Sequence, residues 1–189
     1  MTDYNLERLN FLMVDDNKHM RGLVKTILNA LGVRNVIEAS DGADAFKELR
    51  HFPADIIIVD WNMDPLDGLD FTRMVRTAAD SPNPFVPIIM LTGHTEMNRV
   101  VEARDAGVHE FLAKPISAKG LYSRIRSIIE RPRPFIRTKG FNSYFGPDRR
   151  RQQMPNFMGK ERRKQETDYE GEGGAAELSQ DEVEALLND

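Results

Sequence analysis

The stretch Phe11-Leu12-Met13-Val14-Asp15-Asp16 decides the fold: four apolar residues in a row, then two carboxylates. A short apolar run closed by polar residues reads as a strand covered on both faces. The pattern recurs along the chain. Ile56-Ile57-Ile58-Val59 ends at Asp60, Ile88-Ile89-Met90-Leu91 at Thr92, and Phe111-Leu112-Ala113 at Lys114. Strands are expected over 9–14, 34–39, 55–59, 87–92 and 108–112. Amphipathic helical stretches fall between them, at 18–31, 42–50, 68–79, 96–106 and 117–130. Leu23, Ile27 and Leu31 mark the stripe of the first. Five strand–helix repeats predict an α/β fold, a doubly wound five-stranded parallel sheet.

In such a sheet, residues just past the carboxyl ends of adjacent strands share one crevice. Asp15, Asp16 and Asp60, the Thr92 hydroxyl and the Lys114 ammonium would meet there. Mg²⁺ prefers oxygen ligands and commonly takes one or two carboxylates, and Asp15 or Asp16 with Asp60 could supply them. A dication also relieves the repulsion among clustered carboxylates. Asp60 can act as a nucleophile and form an aspartyl phosphate. Lys114 would neutralise a phosphoryl oxygen, and Thr92 would hydrogen-bond another. Taken singly, each residue also has a plain reading as a turn former, a cap or a surface charge. The combination at four strand ends points to phosphoryl chemistry.

Other chemistries find little support. The chain has 189 residues, 40% hydrophobic and 30% charged, and no cysteine. Disulfides and thiolate sites are therefore excluded. His19, His51, His94 and His109 lack metal-ligand spacing. A Walker-type phosphate loop is missing, so no enzyme is expected beyond phosphorylation and dephosphorylation of Asp60 itself. The apolar runs are too short to cross a membrane. The first residues carry no secretory pattern, so a cytoplasmic location is expected.

The net charge of −4 is unevenly spread. Residues 1–131 carry −3, residues 132–166 carry +7 and residues 167–189 carry −8. Pro132 and Pro134 stop the helical pattern. Residues 132–176 then read as an irregular basic linker, rich in Arg, Pro and Gly. It repeats Gly-x-acid-Arg-Arg, once with Asp148, Arg149 and Arg150, once with Glu161, Arg162 and Arg163. Arginine can pair with guanine and stack on it, and an acid can accept from the base edge. The paired units would suit a two-base ligand such as cyclic di-GMP. The plainer reading is a solvated linker that attracts the acidic tail. Against DNA, the segment offers no recognition helix or zinc module. Residues 177–189 regain a helical pattern. Ser179-Gln180-Asp181-Glu182 is a capping box, and Val183, Leu186 and Leu187 form a stripe. A lone helix of this length is marginal in water and needs docking.

The strand-end residues, together with Asp60-Trp61-Asn62-Met63, Asp67-Gly68-Leu69, Leu91-Thr92 and Lys114-Pro115, resemble the CheY-like receiver domain of bacterial two-component response regulators. The resemblance covers about residues 9–130. It implies sheet order 2-1-3-4-5, the flavodoxin-like arrangement. It implies that Asp60 is the phosphoacceptor, that Asp15, Asp16 and Asp60 hold Mg²⁺, and that Asn62 adds a carbonyl. It implies that Thr92 and Lys114 bind the phosphoryl group and that a histidine kinase or phosphotransfer protein donates it. Thr92 and Phe111 would switch the face built by the fourth helix, fifth strand and fifth helix. Two departures stand out. Asp64 occupies a position where the family usually has proline, and Phe111 replaces the commoner tyrosine. The tail is similar to the peptides of FliM and CheZ that bind such receivers. It implies docking of Val183, Leu186 and Leu187 on the chain's own or another receiver.

Overall fold

A computed structural model describes residues 4–93, 97–138 and 144–149. The strands are β1 (Asn10–Val14), β2 (Asn35–Ala39), β3 (Ile56–Asp60), β4 (Ile88–Thr92) and β5 (Glu110–Ala113). The helices are α1 (Lys18–Ala30), α2 (Gly42–Glu48), α3 (Gly68–Thr77), α4 (Met97–Ala106) and α5 (Ala118–Glu130). The five strands are parallel, in the expected order β2-β1-β3-β4-β5.

The unbroken apolar runs are explained by two buried layers. Leu12, Val14, Ile57, Val59, Ile88 and Met90 pack with Phe46, Phe71, Val75 and Val100 of α2, α3 and α4. Phe11, Met13, Ile58, Ile89 and Leu91 pack with Val24, Leu28, Leu121 and Ile125 of α1 and α5. Strands covered on both sides cannot alternate apolar with polar residues. Side chains at the strand-to-helix joins start the helices. Asn17 accepts from the His19 and Met20 amides, Asp41 from Asp44, Asp67 from Asp70 and Ser117 from Gly120. These caps satisfy first-turn N–H groups that have no partner within the helix.

Residues 132–138 and 144–149 differ from the irregular linker expected there. Phe135–Arg137 and Phe145–Pro147 pair as a two-stranded antiparallel ribbon, β6 and β7. The ribbon packs on the domain through residues far apart in sequence. Phe135 meets Phe85 edge-on at 5.0 Å, and Phe145 meets Phe85 at 5.3 Å. The buried Tyr144 hydroxyl donates to the Pro147 carbonyl at 2.7 Å. Arg149 lies over the Tyr144 ring at 4.0 Å and pairs with Asp105 of α4 at 3.1 Å. Buried Arg76 of α3 donates to the Gly107 and Pro84 carbonyls and lies 5.3 Å from the Phe135 ring centroid. Strands of three residues carry no legible alternation, so the sequence shows only scattered aromatics. Residues 150–189 lie outside the described residues, with Arg150, Glu161, Arg162, Arg163, Val183, Leu186 and Leu187 among them.

Candidate functional site

The carboxyl ends of β1, β3, β4 and β5 converge at one point. Asp60 is the last residue of β3 and is 5% exposed. Asp15 follows β1 and is completely buried, while Asp16 beside it is exposed. Thr92 ends β4 and is buried. Lys114 follows β5, and its amide donates to the Thr92 carbonyl at 2.8 Å. That bond carries the β4–β5 ladder one residue further and fixes where the lysine departs. The Lys114 Nζ lies 2.8 Å from Asp60 Oδ1 and 3.8 Å from Asp15 Oδ2. Carboxylate oxygens of Asp15, Asp16 and Asp60 lie within 4.8 Å of one another.

The electrostatics favour a cation. Asp15 Oδ1 accepts from the Asn17 amide at 2.8 Å, but the buried Oδ2 has no hydrogen-bond partner. Burial pushes the Asp15 carboxyl above its ordinary pKa, and the nearby Asp60 charge adds to this. The Asn17 amide and Lys114 pull the other way. A buried carboxylate oxygen with no donor, beside two other carboxylates, suits a hard dication such as Mg²⁺.

Some supporting residues escaped the sequence reading. Arg21 Nη1 donates to the Asp15 carbonyl at 2.6 Å, and its Nε pairs with Glu38 at 3.3 Å. Arg21 therefore buttresses the acidic loop from α1. Only its place on a polar helix face was visible beforehand. Gly68, part of the matching stretch Asp67-Gly68-Leu69, shows in the structure why it must be glycine. A Cβ there would overlap the Asp60 carbonyl oxygen, so α3 starts in contact with the backbone of β3. Trp61 is buried, and the Arg99 guanidinium of α4 lies 5.7 Å from its ring.

The remaining expected residues fall in different places. Asn62 is exposed in the loop after β3. Phe111 is 1% exposed, with its ring inside the core that α4 covers. Asp148 and Arg149 lie on the ribbon, away from the acidic cluster. The Asp148 carbonyl accepts from Arg133, and its amide donates to Pro134.

Comparison with known proteins agrees with this geometry. Residues 11–126 match the response regulator receiver domain. The chain belongs to that family, the response regulators of two-component systems. Among its relatives is the chemotaxis protein CheY of Pseudomonas aeruginosa, 37% identical over 123 residues, which are 65% of this chain and 98% of that protein. CheY-3 of Vibrio cholerae is 34% identical over 125 residues, covering 66% of this chain and 95% of the relative. The solved structure of Vibrio cholerae CheY4 superposes with a TM-score of 0.59 at 31% identity, over 64% of this chain and 98% of that one. The receiver domain of the Francisella response regulator 1452 gives 0.59 at 27% identity, over 66% and 98%. Receiver domains bind Mg²⁺ through aspartates, and this chain holds three in place. Among the described residues no helix is long and apolar enough to cross a membrane.

Proposed function

We propose that Asp60 accepts a phosphoryl group from a phosphohistidine on a sensor kinase or phosphotransfer protein. The observation that carries this is the 2.8 Å contact of Lys114 Nζ with Asp60 Oδ1, beside the buried Asp15 Oδ2, which accepts no hydrogen bond. An Asp60 oxygen attacks phosphorus, the phosphorus–nitrogen bond breaks, and its electron pair returns to the donor imidazole. Asp15, Asp16 and Asp60, with the Asn62 carbonyl, would hold Mg²⁺, which neutralises charge on the phosphoryl oxygens. Lys114 stabilises the same charge, and Thr92 offers a hydroxyl to it. Hydrolysis of the acyl phosphate restores the carboxylate. The chain has no other catalytic role in this reading, and it works in the cytoplasm.

Output is by protein contact. Phosphorylation shifts the balance between two packings of Thr92, Phe111 and the α4–β5–α5 face, and a few kcal/mol of bias is enough. Val101 is an exposed apolar residue of α4. The tail, with Val183, Leu186 and Leu187, serves as a docking peptide for this or another receiver. A phosphate sink is the competing reading, and it needs no tail: deleting residues 132–189 would leave its phosphate lifetime unchanged. A cyclic di-GMP-responsive adaptor needs free arginines, whereas Arg149 is already stacked on Tyr144 and paired with Asp105.

The test is intact mass after incubation with acetyl phosphate and Mg²⁺. The wild type gains one phosphoryl group, and Asp60→Asn gains none. A folded wild type that stays unmodified, or a variant labelled equally well, overturns the proposal.

A further inference from the structure

At the end of the sheet opposite Asp60, the ribbon and the C-terminus of α5 frame a cleft. Phe85, Pro87, His109, Ile128, Arg131 and Phe135 line it. Phe85 is 54% exposed although its ring lies against Phe135 and Phe145. The rim is basic. Arg131 and Arg133 line it, and the one acid of the lining, Glu110, is buried and already paired with Arg124 and Ser127. The surface is thus apolar at its centre and positively charged at its edge, which fits an acidic amphipathic peptide.

The chain carries such a peptide. Residues 177–189 contain five acidic residues and no basic one, with Val183, Leu186 and Leu187 at helical spacing. The described chain also ends beside the cleft. The Asp148 amide donates at 2.7 Å to Pro134, which sits between Arg133 and Phe135 of the lining. The intervening 27 residues, 150–176, include Gly171, Gly173 and Gly174. A Gly-rich coil of that length has a root-mean-square span of about 30 Å. A tether anchored next to its target raises the local peptide concentration to roughly millimolar.

We propose that residues 177–189 dock in this cleft of their own chain. Leu186 and Leu187 meet Phe85, Ile128 and Phe135, while Asp181, Glu182 and Glu184 face Arg131 and Arg133. The docked tail leaves the crevice at Asp60 open. The proposal rests on the reading of the tail as a docking peptide and is independent of phosphorylation.

The test is two-dimensional amide NMR of the full-length, unphosphorylated protein at low salt. The double variant Leu186→Glu/Leu187→Glu is expected to move the amides of Phe85, Ile128, Arg131 and Phe135, while those of β1 and β3 stay in place. Arg131→Glu is expected to move the Val183, Leu186 and Leu187 amides toward their positions in high salt, where the charge attraction is screened. Unmoved cleft amides in the double variant would overturn the proposal. So would movement confined to Val101 and α5 residues 121–125, which would place the tail on the output face. Shifts that depend on protein concentration would assign the docking to a second copy and overturn it as well.

Discussion

Gly68 opens α3 in contact with Asp60, and its amide donates to the Trp61 carbonyl at 2.9 Å. A methyl group there would strike the carbonyl oxygen of Asp60 itself, a backbone atom with little room to yield. Overpacking of this kind costs about 1–3 kcal/mol. Gly68→Ala is expected to lower the melting temperature by several degrees and to slow phosphorylation by acetyl phosphate, checked by thermal melts and intact mass. Asp15 gives the opposite sign. Its buried carboxylate is disfavoured in the folded protein. Without a divalent cation, Asp15→Asn is expected to raise the melting temperature; with millimolar Mg²⁺ the wild type gains stability by ligand linkage and the variant does not. A wild type indifferent to Mg²⁺ would remove the metal from the account. The acids, Thr92 and Lys114 were legible in the sequence because each closes an apolar run. Arg21 was not, because it reaches the loop with a long side chain from a helix face that looks merely polar.

At the scale of elements, α1 is tied to the edge strand β2 by Glu38, which accepts from Lys25 at 2.8 Å and pairs with Arg21 at 3.3 Å. The Lys25 hydrogen bond is the main cause holding the Glu38 carboxyl below its ordinary value of 4.5, and Arg21 adds to it. A carboxylate whose folded-state pKa is depressed contributes stability above the unfolded value, and loses it as pH falls through the folded value. Both side chains are partly exposed, so the contribution is about 0.5–1 kcal/mol. Glu38→Gln is expected to melt a few degrees lower at pH 7, with the gap closing as pH falls below 4.5 and the wild-type carboxyl is protonated. A gap unchanged with pH would point to packing instead of charge. The five parallel strands were readable because burial on both faces demands unbroken apolar runs. The ribbon was not, because three-residue strands leave no periodic trace and their anchors, Phe85, Arg76 and Gly107, lie 28 or more residues upstream of Phe135.

Across the whole molecule, the ribbon moves the edge of the packed unit from residue 131 to residue 149. Tyr144 is 6% exposed, and Gly146 leaves no room for a side chain beside Tyr144 and the Gly107 backbone. A chain ending at Arg131 would uncover Phe85, Arg76 and His109 and lose the aromatic contacts. The expected cost is about 2–4 kcal/mol, from apolar area and ring pairing together. Thermal melts of chains ending at 131 and at 149 decide this. The shorter should melt several degrees below the longer, and in the full-length protein the docked tail adds further stability to that of the longer. Equal melting would return the boundary to residue 131.

Trp61 has a practical consequence. It is the sole tryptophan among 189 residues, it is 3% exposed, and it directly follows Asp60. With Arg99 of α4 over its ring, the indole touches both the loop that would receive charge and a helix that would answer it. The protein therefore carries its own optical probe. On the proposed reading, emission from one fluorophore would time phosphate arrival and departure in a stopped-flow cell, without dye, radiolabel or engineered reporter.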